Sequence, residues 1–423
     1  VIKLQLHWQI LIAIALAVVA GLLSGTEGGI GNVTFYQVYN FLGTMFMNGL
    51  MMIIVPLIMS SIIASIASLG TGQDLGRLGL KTMGYYALTS TLAILVGLVF
   101  VNVFTPGLQN GLPAGEQLNL ALDQDAISGA LASVEGRGGS DIVGIFLRMI
   151  PTNVVAAAAQ GEMLGLIFFS LVFGIFMTRL PQKQGETLLV FWQAVSETMM
   201  RVTMWIMQFA PYGVFGLVAR TVASTGFAGF APMLVFFFTV LSALLFHLFV
   251  VLPVLLKLNG ADPLKHFKAM LPALLTAFSS ASSSATLPLT MECLRERSGV
   301  SERTTSFVLP LGATVNMDGT ALYECVAAIF LAQAYGLELT FATQFTVVLI
   351  ALLTSIGVAG IPAASLVAIA VILTAIGLPV EAIGLLLVTD RVLDMMRTAV
   401  NVYSDTCCAV IVAKSENEEG LLV

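Results

Sequence analysis

Two stretches decide how this chain folds. One is Ser279-Ser280-Ala281-Ser282-Ser283-Ser284-Ala285-Thr286-Leu287-Pro288, followed by Asn316-Met317-Asp318-Gly319-Thr320. The other is Ser355-Ile356-Gly357-Val358-Ala359-Gly360-Ile361-Pro362, followed by Asp394, Arg397, Asn401 and Asp405. Each is a Ser- or Gly-rich break ending in proline, then an apolar stretch carrying Asn and Asp. Breakers at corresponding places in two hydrophobic units point to a binding site built from discontinuous membrane helices. Such breaks free carbonyls for cations and helix N-termini for anions, at a depth where water is absent.

The rest of the chain supplies the membrane reading. Of 423 residues, 58% are hydrophobic and 10% charged, with a mean hydropathy of +0.97. A soluble domain carries about 25% charged residues, so most of this surface is expected to face lipid, and the length-based prior of several soluble domains is overridden. The net charge of −6 says little about partners, because the charges sit in loops and a few buried positions; no nucleic-acid partner is expected. The first apolar run, 9–24, lacks a small-residue cleavage site and is expected to be retained, with an initiator segment preceding Val1. Cys293, Cys325, Cys407 and Cys408 have no metal-ligand spacing and read as small packing residues. His7, His247 and His266 are scattered, and no motif ties them to a serine or a carboxylate.

A spanning helix needs about 20 apolar residues. The candidates are 9–24, 41–69, 82–104, 164–177, 188–222, 233–256, 307–334 and 383–413. Two further apolar segments, 271–291 and 341–378, contain the breaks and read as re-entrant helical hairpins; a kinked spanning helix is the plainer alternative, since small residues also serve helix packing. The expected fold is therefore an all-α membrane protein with eight transmembrane helices, two re-entrant hairpins and inverted repeats. Lysines and arginines place the N-terminus inside. The acidic connection 106–140 then lies outside, the two hairpins enter from opposite faces, and the C-terminus is inside.

An ionisable group at the bilayer centre costs roughly 2.5–3.5 kcal/mol on insertion scales, so the charges in the last spans call for a function. Asp390, Asp394, Arg397 and Asn401 follow at three- and four-residue spacing and share one helix face. A structural salt bridge is the bland reading. The functional one is that Arg397 grips a carboxylate in bidentate fashion and Asp394 receives an ammonium. The N–H groups of the serine break hold a second carboxylate, and Thr320 and Thr398 orient the ligand. Asn and Asp oxygens, with carbonyls of unwound backbone, suit a small cation such as sodium.

These residues resemble the excitatory amino acid transporter family, the dicarboxylate/amino acid:cation symporters. The likeness is carried by Ser-Ser-Ser-Ala-Thr-Leu-Pro (282–288), Leu-Pro-Leu-Gly-Ala-Thr-Val-Asn-Met-Asp-Gly-Thr (309–320), Gly-Val-Ala-Gly-Ile-Pro (357–362) and Asp-Met-Met-Arg-Thr-Ala-Val-Asn-Val (394–402). It implies a homotrimer in the cell membrane and an elevator-type motion. Scaffold and trimerisation parts would be 1–70 and 141–222; transport parts would be 76–105 and 227–414. Carried over by motif position, substrate contacts fall on Ser283, Thr320, Ile361, Ser365, Asp394, Arg397, Thr398 and Asn401. One sodium site falls on Gly312, Asn316, Asn401 and Asp405. A second falls on Thr314, Met317, Ser355, Ile356 and Val358, and a third on Tyr86, Thr89, Ser90, Asn316 and Asp318. Glu324 corresponds to an acid linked to proton and potassium coupling in animal members.

Three positions depart from the family pattern. An arginine found in relatives just before the serine triplet, or just after the Asp of the last span, is replaced by Ala281 and Met395; Arg391, three residues before Asp394, is the arginine that could compensate. Ser365 stands where archaeal members have glycine, and Tyr403-Ser404-Asp405 replaces a Gly-Asp pattern.

The expectation is a sodium-coupled symporter of glutamate or aspartate, with potassium as a further coupled ion. A C4-dicarboxylate carrier, a neutral amino acid carrier and a substrate-gated anion channel are the alternatives. An enzyme is not expected: a hydrolase using Ser283 or Ser284 would lack an activating base and a Gly-x-Ser-x-Gly elbow.

Overall fold

The computed structural model describes residues 6–68, 73–115, 118, 150–160, 163–226, 230–337, 340–355 and 382–422, with single positions between 365 and 379. Ile356, Val358 and Ile361 of the second break lie outside the described residues, as does most of the acidic connection. What is described is dominated by helices: α1 (Leu6–Ser24), α2 (Phe35–Ser68), α3 (Gln73–Phe104), α4 (Val154–Gln160), α5 (Met163–Met177), α6 (Gln182–Met207), α7 (Ala210–Thr225), α8 (Phe230–Phe246), α9 (Leu252–Leu258), α10 (Pro263–Ser280), α11 (Ser283–Ser298), α12 (Glu302–Val315), α13 (Asp318–Ala334), α14 (Phe341–Ser355) and α15 (Ile383–Ser415). Two two-residue hairpins interrupt the helices, Gly29–Ile30 with Val33–Thr34 and Leu108–Gln109 with Leu112–Pro113. The second turns through Asn110 and Gly111, both at positive φ, the geometry tight hairpins require.

Among the described residues, four helices are long and apolar enough to cross a membrane, and five if one bent pair counts as a single span. That pair covers the stretch 188–222. It is two helices, α6 and α7, meeting at 55°, because Pro211 in the first turn of α7 has no N–H to continue the ladder of α6. The span read as 307–334 is likewise two helices. Asn316 (φ −106°, ψ 102°) and Met317 (φ −126°, ψ 58°) leave helical geometry between α12 and α13.

The segment 271–291 is a helical hairpin and not a kinked continuous helix. α10 ends at Ala281 in the left-handed region (φ 50°), and Ser282 caps α11, its hydroxyl accepting from the Ala285 N–H. An alanine there costs roughly 1–2 kcal/mol over a right-handed residue, offset by the capping and by packing of α10 on α11.

α1 lies on α7, and α2 on α5, α6 and α7; α3 packs on α13 and α8, while α15 is flanked by α10, α12, α13 and α8 and also packs on α7, which joins the two sets of neighbours. α13 is buried along its whole length. All four cysteines are free and buried, as expected for packing residues.

Candidate functional site

The site is written along α15 and across the break between α12 and α13. At the break, two helix ends meet far from solvent, and their unpaired backbone groups need partners. Asn401 supplies one: its Oδ1 accepts from the Gly319 N–H at 2.8 Å. Gly319 is obligatory at this contact, since a Cβ would stand 2.7 Å from the Arg397 carbonyl oxygen. Asn401 Nδ2 is shared between Met317 Sδ and Thr320 Oγ1, each at 3.2 Å. The break is therefore held open by side chains one turn beyond Arg397.

On the N-terminal side of that contact lies a charge cluster. Arg397 Nη2 donates to Asp390 Oδ1 at 2.9 Å and to Asp394 Oδ1 at 3.0 Å. Its guanidinium carbon stands 3.9 Å from the centre of the Tyr323 ring, a cation–π contact made stronger by desolvation. The side chain is 1% exposed. Arg397 Nε and Nη1 are nonetheless buried without a hydrogen-bond partner among the described residues. Buried donors are normally paired, so two spare nitrogens on a locked guanidinium mark a place for an acceptor. Arg391 Nη1 reaches Asp394 Oδ2 at 3.4 Å. Thr398 spends its hydroxyl on the Asp394 carbonyl. Ser283 and Ser365 are buried, and Ser365 Oγ has no partner among the described residues.

On the other side lies a cluster of the opposite kind. Asp318 and Asp405 are both buried, and among the described residues neither pairs with a lysine or arginine. Asp318 accepts from Ser90 Oγ at 2.7 Å and from Ser404 Oγ at 2.5 Å. Asn316 Nδ2 donates to Asp405 Oδ1 at 2.9 Å and to Ser404 Oγ at 3.1 Å, and Ser90 Oγ lies 3.4 Å from Asn316 Oδ1. Gly312 lets Asp405 approach, because a Cβ there would meet Asp405 Oδ1 at 2.4 Å and the Tyr86 hydroxyl at 2.6 Å. Tyr86 donates to the Val308 carbonyl at 2.9 Å, and Thr89 bonds back to its own helix. Two acids amid hydroxyl and amide oxygens suit a hard monovalent cation. No group of three His, Cys, Asp or Glu side chains that could hold a metal occurs among the described residues.

The structure thus brings Gly312, Asn316 and Asp405 together, and Ser90, Asn316 and Asp318 together. It turns the amide of Asn401 toward Gly319, Met317 and Thr320 instead of toward Asp405. Met317 lies at the break, Thr314 near the end of α12, and Ser355 ends α14. Glu324 is fully buried on α13. Sequence reasoning missed three contacts. Ser404 bridges Asp318 and Asn316, and its position seven after Arg397 on the same helix face was the available signal. Tyr323 lies beneath Arg397, and nothing in its apolar surroundings announces that. His247 is the third: its Nε2 is 3.4 Å from Asp318 Oδ2, although no motif linked any histidine to a carboxylate. It opens a π-helical turn, His247–Val251, and a histidine inside an apolar span was itself the clue.

Broken helices, a locked guanidinium with spare donors and a neighbouring nest of carboxylate oxygens lie side by side in an apolar, helical chain. Residues 6–415 match the model of the sodium:dicarboxylate symporter family. The chain is 36% identical to the proton/glutamate-aspartate symporter of Escherichia coli (strain K12), over 99% of its own length and 94% of that protein. It is 35% identical to the proton/sodium-glutamate symport protein of Bacillus caldotenax (98% and 96% covered) and 33% identical to mouse excitatory amino acid transporter 3 (98% and 87% covered). The chain belongs to the sodium:dicarboxylate symporter family. It is accordingly a multi-pass membrane transporter and not an enzyme.

Proposed function

We propose that this protein is a secondary symporter that moves an acidic amino acid, aspartate or glutamate, inward across the cell membrane together with sodium. The observation that carries the reading is Arg397, desolvated, fixed over Tyr323, and left among the described residues with two unpartnered nitrogens, Nε and Nη1. Those groups fit the side-chain carboxylate of the substrate, while Asp394 takes the ammonium. Ser283, Ser365, Thr320, Thr398 and Asn401 line the remainder, with Ile361 contributing from the second break. Sodium is carried in the oxygen nests of Asp405, Asn316 and Gly312 and of Asp318, Ser90, Thr89 and Tyr86; Thr314, Met317, Ser355, Ile356 and Val358 form a further site. The glutamate and aspartate named in several relatives support this choice of substrate.

The finer architecture belongs to the same proposal. Eight spans and two re-entrant hairpins form a homotrimer, in which α1, α2 and α4–α7 make the scaffold and the remaining helices carry substrate by an elevator motion. The packing of α1 on α7 and of α2 on α5, α6 and α7 supports the scaffold half of that division, and α7 also meets α15. Glu324, buried four residues past Thr320 on α13, carries a proton with the substrate, and potassium assists return of the empty carrier. Glu324→Gln is then expected to retain exchange between preloaded vesicles but to lose the pH dependence of net uptake.

A C4-dicarboxylate carrier is the second reading, favoured by one observation: Asp394 is already engaged by both Arg397 and Arg391. Radiolabelled uptake into proteoliposomes separates the two. Aspartate uptake is expected to far exceed succinate uptake and to collapse when sodium is replaced by choline under a maintained proton gradient. Equal succinate uptake sinks the amino acid assignment, and undiminished uptake in choline sinks sodium coupling.

A further inference from the structure

The charge cluster on α15 contains two acids and two bases, Asp390, Asp394, Arg391 and Arg397, and the two arginines are held very differently. Arg397 makes two short ion pairs, is stacked on Tyr323 and is 1% exposed. Arg391 makes a single long contact, 3.4 Å to Asp394 Oδ2, its side chain is 14% exposed, and its Nε has no partner among the described residues. One guanidinium is fixed by its surroundings; among the described residues the other has its one ion pair with Asp394.

Resting on the amino acid reading above, we propose that Arg391 is a specificity-determining residue: it serves as the internal counter-ion of Asp394 when the pocket is empty, and the substrate's ammonium takes its place. The physical need is clear. Asp394 must be free enough to accept a cation, yet a carboxylate left without a counter-charge at this depth is costly. Arg397 cannot fill the role alone, because it already serves Asp390 and its free N–H groups are wanted by a carboxylate. A loosely held second arginine covers Asp394 and withdraws into its partly exposed position when an ammonium arrives. Arg391 thus competes with the ammonium and sets how strongly the pocket prefers amino acids over the corresponding dicarboxylates.

Aspartate and succinate share both carboxylates and differ in the ammonium, so the ratio of their dissociation constants isolates this contact. In Arg391→Gln the succinate-to-aspartate Kd ratio is expected to rise about tenfold, the value of a modest charged hydrogen bond. Arg391→Lys should keep the ratio within about twofold of the wild type. A merely structural arginine would weaken both ligands alike and leave the ratio where it was, and that result overturns the proposal. Should Arg391→Gln not fold, Arg391→Cys decides within one folded protein: alkylation with a cationic thiol reagent should lower the ratio and a neutral reagent of equal size should not. Equal responses to the two reagents overturn the proposal. Wild-type protein that shows no preference for aspartate over succinate refutes the amino acid reading itself, and this inference with it.

Discussion

The two halves of the site meet along α15 on either side of Asn401 and are built from opposite surpluses. Around Arg397 every acid is matched by a base, and what is left over is hydrogen-bond donors. Around Asp318 and Asp405 no lysine or arginine balances the carboxylates among the described residues, and what is left over is acceptor oxygen. Donors in excess call for an anion; acceptors in excess call for a cation. The two regions meet at Asn401, which bonds to the first turn of α13, so an occupant of either side acts on the same break. This is how binding free energies become coupled: each ligand shifts the geometry its neighbour needs, and the effect is reciprocal.

The most severe way to break this comparison is to remove the fixed guanidinium. Arg397→Cys leaves Asp390 and Asp394 facing each other without it, a change that costs roughly 3–5 kcal/mol for a buried pair. Binding of aspartate and glutamate by calorimetry is expected to fall by a hundredfold or more, with serine or cysteine gaining. Near wild-type aspartate affinity would show that the donors around Arg397 do not hold the substrate.

Asp318→Asn tests the other half. It preserves size while removing one of the two unbalanced charges, so the sodium concentration for half-maximal uptake should rise by about tenfold or more. Aspartate affinity at saturating sodium should change far less. A variant with unaltered sodium dependence would remove this cluster from the cation pathway.

Glycine replacements sharpen the contrast. In Gly319→Ala the new Cβ meets backbone, the Arg397 carbonyl at 2.7 Å, so α13 must move off the substrate side. In Gly312→Ala it meets Asp405 and Tyr86, on the side of the carboxylate cluster. Overpacking of this kind costs about 1–3 kcal/mol. Isothermal titrations of each ligand should show Gly319→Ala weakening aspartate first and Gly312→Ala weakening sodium first. Identical profiles would mean that the halves do not act as separate sites.

The smallest effect is expected outside the membrane-embedded site. Lys81 donates to Glu416, with Arg77 beside it at 3.3 Å, and this pairing holds the Glu416 carboxyl below its ordinary value of 4.5. A depressed carboxyl pKa contributes stability that is present above the unfolded value and is lost as pH falls through the folded one. Lys81→Met should therefore lower Tm slightly at about pH 7 and not at about pH 3. A difference of equal size at both values would assign the effect to packing of the lysine stem.

How much of this could be read from residues alone differs from element to element. The first hairpin turns at Ala281-Ser282, inside the Ser-rich stretch, because local chemistry is enough there: small polar residues cap helices and compete with the ladder. The shared face of Asp390, Asp394, Arg397 and Asn401 follows from helical period. The interruption at Asn316-Met317 was not legible as a helix break, since neither residue is proline or glycine and both lie within a long apolar stretch. It is maintained from outside, by Ser404, Asp405 and Asn401 on another helix. The joint between α6 and α7 is marked in the sequence by Pro211, but the length of the apolar stretch, which reports membrane depth and not direction, does not give the 55° bend.

The sequence by itself determined the solvent, the helical character, the first hairpin turn and the charged face of α15. Those depend on composition and on spacing within a few turns. Tertiary structure alone decided that Tyr323 lies under Arg397, that His247 meets Asp318, and that the donors around Arg397 and the acceptors around Asp405 fall on opposite sides of one break. Each of these joins residues on different helices, 71 to 89 positions apart in the cases of His247 with Asp318 and Asn316 with Asp405. Their partners are selected by the packing of whole helices against one another, and local propensity holds no record of which faces will touch.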